Sequence, residues 1–446
     1  MSGLVATSAL WREKHTVGLT SHVLHGHVPS PLAKGFSPPA PVMNLEFGPF
    51  ALAAAVARTA TLRDDAPVEV LDALQRSTLP MLETMIAEGS IFSLSEYFSH
   101  LADTERTLFA ARVGGGITDL YMNALGYAWR ANAICLSSAL DPHADFIYDG
   151  GSANGHGVVL AEARGSFSDS STVGSIRNAS QNKYLRQVKP YLGKPSPYGD
   201  MIHGYCVAFG SALRTPGAFL GVSETKISST GGSGRGTPPN GTSEDASGDG
   251  VSAPIALAAH RSNFFLMGGT RVVHWIDWLR NVDRAAPPDT NPIAFLRLRY
   301  AGRNFLISIP AMWWLDPFRN WWADFYDNAR QWRPILRSTL RPRATRWPDL
   351  GCFAIEERAG IAFLKALTNM LGPQAVRFPS SLQLPEFVPA GFGTINDDLS
   401  SDTPRDAYNY ALFRDGLALL GDPQRGRTVG VLEWSPKAGV AMQDWQ

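Results

Sequence analysis

Two runs decide how this chain folds: Asp145-Phe146-Ile147-Tyr148-Asp149 and Val158-Val159-Leu160-Ala161-Glu162-Ala163-Arg164-Gly165. Between them lies a connection that starts at Gly150 and ends at Gly157, with Gly151 and Gly155 inside it. Short apolar runs on either side of a glycine-rich turn predict two paired strands. On a strand, side chains two apart share a face. Glu162 and Arg164 therefore project together while Ala163 points away, and Asp145 and Asp149 share a face of the preceding strand. Antiparallel pairing lays one of these two aspartates beside Glu162.

Outward from this pair, the sequence reads as a compact α/β unit. A helix over 117–130 places Leu120, Tyr121, Ala124, Leu125 and Ala128 on one face. Strands are predicted over 132–137, 145–149 and 158–164. A helix over 175–192 follows, with Tyr184, Leu185, Val188, Tyr191 and Leu192 as its buried stripe and Pro195 and Pro197 closing it. A strand over 203–212 completes the order helix, three strands, helix, strand.

Two carboxylates a few ångströms apart, joined by the backbone carbonyl of Ala163, make an oxygen-rich site suited to Mg²⁺ or Mn²⁺. Such an ion activates water and neutralises charge on a scissile phosphate, while a nearby cation stabilises the developing charge. Ala144-Asp145 and Glu162-Ala163-Arg164, in this order of elements, resemble the PD-(D/E)xK (restriction-endonuclease-like) nuclease superfamily. The resemblance covers about a quarter of the chain, and its motif is short. It implies an αβββαβ core, metal ligation by Asp145 and Glu162, and helix residues Gln181, Lys183 and Gln187 facing the site. It also implies DNA as substrate. Ala144 replaces the usual Pro, and Arg164 replaces the usual Lys. A guanidinium stays charged and cannot share a proton with an attacking water, so Arg164 or Lys183 is the expected site cation, Lys189 being a further source of an ammonium from the helix, or catalysis is weakened or lost. The other reading is a non-enzymatic scaffold in a bacterial multi-component system, binding a protein through its aromatic C-terminal half.

Around this core the expected organisation is an irregular arm over 1–45, a helical region over 46–112, the core over 113–226, a flexible linker over 227–253 and a mixed α/β region over 254–446. Gly114-Gly115-Gly116 is read as a helix break, and Asp119 as an acid near the start of the next helix. His22, His25 and His27 are read as solvated loop histidines. The linker, rich in Gly, Ser, Thr and Pro, buries too little apolar surface to offset its ordering entropy. In the C-terminal region, helices are expected at 255–266, 271–282 and 359–371. Strand pairs are expected at 294–310, turning at Ala301-Gly302, and at 411–420 with 429–434. Trp313, Trp314, Trp321, Trp322 and Trp332 form an aromatic cluster with Arg319, Arg330 and Arg333, followed by a basic stretch over 337–346. Core packing, base stacking and phosphate contact all suit these residue types.

Bulk composition limits the alternatives. The 446 residues, 44% of them hydrophobic, suffice for two or three domains. Forty basic and forty acidic residues leave no net field to draw in nucleic acid or a membrane, so a charged partner requires a local patch. Cys135, Cys206 and Cys352 are too few and too scattered for a disulfide framework. No signal-like N-terminus and no membrane-length apolar run is read, which predicts a cytoplasmic protein without a membrane partner. The sequence has no Walker loop, no Gly-x-Ser-x-Gly elbow and no Cys-x-x-Cys pair.

Overall fold

The computed structural model describes residues 4–6, 11, 13–27, 36–62, 66–67, 69–71, 81–133, 142–149, 157–213, 217–226, 253–280, 286–308, 350–372, 384–393, 408–421, 423 and 426–444. It is a mixed α/β structure with two multi-stranded sheets. The short strand β1 (Leu4–Ala6) belongs to the second of them. The first sheet contains β2 (His15–Gly26), β3 (Asn44–Phe47), β4 (Arg130–Asn132), β5 (Phe146–Asp149), β6 (Gly157–Phe167), β7 (Pro195–Ser196), β8 (Gly199–Ser211) and β9 (Ala218–Lys226). Its order is β3-β2-β9-β8-β6-β5-β4, with β7 paired to β8. β4, β5 and β6 form an antiparallel meander, and β6 then runs parallel to β8. Parallel neighbours need a crossover, and a helix supplies it.

Helix α1 (Pro49–Ala60) and helix α2 (Asp103–Leu125) precede the meander, and α3 (Val173–Lys183) is the crossover. A π turn over Tyr184–Val188 and a 3-10 turn over Lys189–Tyr191 extend α3. Thr172 and Ser175 cap its start reciprocally through side chain and backbone. Helices α2 and α3 cover opposite faces of the sheet. Gly165 of β6 lies against Ala110 of α2, while Gly204 of β8 lies against Val188. The strand expectations at 145–149, 158–164 and 203–212 each find their strand, and the helix expected over 175–192 is α3 with its two tighter and wider end turns.

Three expectations are corrected. Gly114-Gly115-Gly116 does not break a helix but lies inside α2. A Cβ at Gly114 would come 2.5 Å from the Gly165 nitrogen, and one at Gly116 would come 2.5 Å from Val56 Cγ2. Glycine costs about 1 kcal/mol against alanine within a helix; here that cost is offset by backbone contact with β6 and α1 that no other residue permits. Residues 15–26 are not irregular: they form β2, parallel to β9 and antiparallel to β3. Its Thr, Ser and His content masked a strand whose alternation was nonetheless present at His15, Val17 and Leu19. The expected core boundary at 113 also falls in mid-helix, because α2 begins at Asp103.

The second sheet is antiparallel throughout. It contains β10 (Ile293–Tyr300), β11 (Arg303–Ser308), β12 (Leu350–Glu356), β13 (Val388–Gly393), β14 (Tyr408–Leu412), β15 (Leu417–Leu420), β16 (Arg427–Ser435) and β17 (Gly439–Asp444). Their order is β13-β14-β15-β12-β11-β10-β16-β17. Ala301 and Gly302 turn the β10–β11 hairpin with φ of 50° and 74°, the left-handed pair that a two-residue hairpin turn requires. Helices α5 (Thr270–Arg280) and α6 (Glu357–Leu371) pack with this half, while α4 (Ala253–Leu266) packs on β4 and β5 of the first sheet and meets α6 through the stack of His260 on Phe363. Trp434 of β16 donates its indole N–H to Leu364 O at 3.0 Å, pinning α6 to the sheet.

Helix α1 joins the halves, packing on α2 and on β13, β14 and β15. At this junction Arg58 and Arg130 converge on Asp119 and Asp415, all fully buried. Asp119 is therefore no helix-start acid: it sits deep within α2 and accepts the Tyr148 hydroxyl at 3.1 Å. The aromatic cluster over 313–332, the basic stretch over 337–346 and positions 227–252 of the expected linker lie outside the described residues. Among the described residues no helix is long and apolar enough to cross a membrane.

Candidate active site

The β5–β6 register pairs Phe146 with Ala161, which sets Asp145, one residue before β5, opposite Glu162. Asp145 Oδ2 accepts the Ala163 N–H at 2.9 Å. Asp149 pairs instead with Val158, at the far end of the hairpin. Four residues of extended chain separate the two aspartates by roughly 13 Å. Asp145 is thus the aspartate beside Glu162.

Helix α3 and its π turn cover the glutamate. Lys183 Nζ stands 3.2 Å from Glu162 Oε1, and Gln187 Nε2 donates to Glu162 Oε2 at 3.2 Å. Gln187 also donates to His143 O at 2.7 Å and accepts from the Lys183 ammonium. The amide therefore ties the helix to the segment leading into Asp145 and fixes the glutamate's orientation. Of the residues singled out by sequence, the structure brings together Asp145, Glu162, Lys183 and Gln187.

Gln181 and Arg164 are placed elsewhere. Gln181 precedes Lys183 by two residues, about 200° around a helix, and among the described residues it makes no hydrogen bond to the pair. Arg164 is exposed, roughly 6.6 Å further along β6 than Glu162. It lines a separate cavity of about 440 Å³ with Arg106, Thr107, Ser166 and Asp169. No ion pair or side-chain hydrogen bond engages Arg164 among the described residues. The cation at the carboxylates is therefore Lys183.

Electrostatically the pair is short of positive charge. Burial and the adjacent Asp145 charge push Glu162 up to about 9, against the opposing pull of Lys183. Asp145 retains solvent contact as a residue, yet packing around its carboxyl raises it from the ordinary aspartate range, with the Ala163 N–H acting the other way. The Glu162 side chain is 2% exposed and that of Lys183 is 35% exposed, so the site is closed behind the glutamate and open past the lysine and aspartate. Cys206 pairs in register with Glu162 and is fully buried; burial and both carboxylates push its thiol well above the ordinary range, which favours the uncharged thiol.

The donor set fits a hard divalent cation. Two carboxylates that repel each other gain by sharing one. A strand residue directs N–H and C=O to the same edge, so the Ala163 carbonyl faces Asp145 along with its amide. Among the described residues no three His, Cys, Asp or Glu side chains converge in metal-holding geometry. An ion here would be held by Asp145, Glu162 and a carbonyl, with water as the remaining ligands, as Mg²⁺ characteristically is.

The histidines of β2 form no common site. His22 Nε2 meets Glu224 Oε2 at 2.7 Å, and His203 Nε2 meets Glu224 Oε1 at 3.1 Å. Burial acts to raise Glu224, but these two histidines more than offset it and hold the carboxyl at about 2. His25 instead stacks on Tyr184 with ring centroids 4.4 Å apart. Sequence reading missed the Glu224 cluster and the Arg58–Asp415 network. The first was within reach of a strand-pairing argument, since Tyr205 and Glu224 are register partners. The second joins residues 357 positions apart, and no local pattern marks it. In comparisons with family models, curated proteins and solved structures, the chain matches none.

Proposed function

We propose that this chain is a PD-(D/E)xK-like, metal-dependent phosphodiesterase acting on DNA, with Asp145 and Glu162 as metal ligands and Lys183 as the site cation. The observation that carries the reading is the convergence of three groups: aspartate and glutamate opposite each other on adjacent antiparallel strands, and the crossover-helix ammonium 3.2 Å from the glutamate. The meander followed by a helix and a parallel strand supports an αβββαβ core around them.

When bound, Mg²⁺ or Mn²⁺ would supply a water of lowered pKa and charge neutralisation at the phosphate. The protein's own groups do the rest. Gln187 holds Glu162 in one rotamer by donating to its Oε2. The Ala163 amide does the same for Asp145. Lys183, anchored on Glu162 and partly solvent-facing, presents its remaining donors to a phosphate oxygen or to the attacking water. Arg164 takes no part at the carboxylates.

One observation favours the alternative of a non-enzymatic scaffold: both Glu162 oxygens already have protein partners, Lys183 and Gln187. The deciding experiment is DNA cleavage with Mg²⁺ or Mn²⁺, comparing the unaltered chain with Asp145→Ala and Glu162→Ala. Cleavage abolished by either change supports the enzyme. Cleavage indifferent to both, or none at all with either metal, leaves the scaffold.

A further inference from the structure

From Ser170 to Gly199 the chain has no Asp or Glu, yet carries Arg177, Lys183, Arg186, Lys189 and Lys194. Over the whole sequence acids and bases balance, at 40 each, so the segment's excess of bases is local. Most of the segment is α3 with its π and 3-10 turns, lying across the face of the sheet that bears Glu162, and the turn with Lys194 and β7 follow. Arg177, Arg186, Lys189 and Lys194 are exposed, and among the described residues none is paired with a carboxylate. Lys194 lies 5.2 Å over the Tyr191 ring, which leaves its charge available. The end of β2 adjoins this surface through the stack of His25 on Tyr184. Burial and the Lys189 charge lower both His25 and His27, so the positive field there belongs to the lysines and arginines.

A surface helix ordinarily interleaves acids with bases, since i,i+4 pairs add stability. This one forgoes them and accumulates charge on a protein of no net charge. From Arg177 to Lys189 the helix spans about 18 Å at 1.5 Å per residue, roughly five nucleotide steps at 3.4 Å. Lys183, the residue that touches Glu162, falls in the middle of that span. We propose that this acid-free face is a docking track for a nucleic-acid phosphodiester backbone, laid so that the strand passes over Lys183. The inference rests on the proposed phosphodiesterase reading for why the track leads to that site, but the surface is testable without cleavage.

The test is fluorescence anisotropy of a fluorescein-labelled 20-base-pair duplex with the full chain in EDTA. The variants are Arg186→Glu with Lys189→Glu, Arg177→Glu with Lys194→Glu, and the charge-matched control Arg299→Glu with Lys437→Glu, which lies in the other half. With three or four phosphates neutralised, log K should fall against log salt with a slope of about −3. Each reversed pair should raise Kd at least tenfold and flatten the slope by about 2, while the control stays within twofold. Reversed pairs that bind as the unaltered chain does would overturn the proposal, as would anionic phosphatidylserine vesicles or polyglutamate displacing the duplex at equal charge. The two readings fail separately. Metal-dependent cleavage with no dependence on these four residues removes the track alone. Binding that needs them, without cleavage in either metal, removes the phosphodiesterase alone.

Discussion

Lys183 Nζ approaches Glu162 Oε1 at 3.2 Å from the helix, while Arg164, two residues beyond the glutamate on its own strand, is turned into solvent. The cation at the Asp145–Glu162 pair thus comes from the crossover helix. An ammonium on a flexible stem can rotate its donors toward a phosphate or a water without losing its anchor, which a fixed guanidinium fork cannot.

The two positions should therefore respond unequally. Lys183→Met is expected to lower metal-dependent DNA cleavage by about 10²–10³, the usual cost of removing one preorganised charge at a reacting oxyanion. Arg164→Lys should leave the rate within about twofold of the unaltered chain, below the range that a lost site contact produces. Single-turnover cleavage rates decide it. A large gain from Arg164→Lys would place the working cation on β6.

Glu162→Gln should remove activity and raise stability. Burial and Asp145 push the glutamate up to about 9, above its value of 4.5 in the unfolded chain. The sign follows by linkage: a raised carboxyl favours the fold below its unfolded pKa, and that contribution is lost as pH rises through the folded value. Between roughly pH 5 and 9 the unaltered protein should lose stability relative to the glutamine variant, whose amide has no charge to desolvate. Urea midpoints measured at pH 5, 7 and 9 should diverge in that order. Parallel midpoints would mean that the Glu162 carboxyl is not perturbed.

Glu224 gives the opposite sign at the acid end. His203 and His22 hold it at about 2, against burial, from an ordinary value of 4.5. Its contribution is complete above 4.5 and is lost as pH falls toward 2, a window worth on the order of 3 kcal/mol by linkage. Glu224→Gln should flatten the fall in stability between pH 5 and 3, because the neutral amide has no charge to lose. A glutamine variant as acid-sensitive as the unaltered chain would count against the cluster.

What was legible in the sequence was whatever local periodicity controls. The runs at 146–149 and 158–164 and the stripe through Tyr184, Val188 and Tyr191 announced strand, strand and helix, and two-residue spacing placed a carboxylate pair across one hairpin. Strand alternation did not decide between Asp145 and Asp149, because both share a face; the register decided. Nor did alternation exclude Arg164, whose face was right but whose position lies one side-chain step too far along β6. Gly114, Gly115 and Gly116 misled because a helix breaker in isolation becomes a packing device against β6 and α1. The polar alternation of β2 was present but carried by His, Thr and Ser, and its burial against β9 depends on a strand some 200 residues later.

The junction of the two sheets offers the last test. Asp415 Oδ2 accepts from Arg58 at 2.8 Å, Arg130 at 3.1 Å and Asn263 at 3.0 Å. Burial acts to raise this carboxyl, but the two guanidinium groups hold it below the ordinary aspartate range. Arg58 also lies 3.9 Å over the Phe413 ring, so its position is fixed from both sides. Asp415→Ala would strand two buried guanidinium groups with only Asp119 between them, at a cost of about 3–5 kcal/mol. Replacing the cations as well, with Arg58→Met and Arg130→Met beside Asp415→Leu, removes the uncompensated charge and should restore much of that loss. If the network couples the halves, Asp415→Ala should also split a single urea transition into two, read by far-ultraviolet circular dichroism and tryptophan fluorescence together. Coincident transitions with a midpoint unchanged from the unaltered chain would show that packing at the junction holds the sheets together without these charges, and that the buried charges are incidental to it.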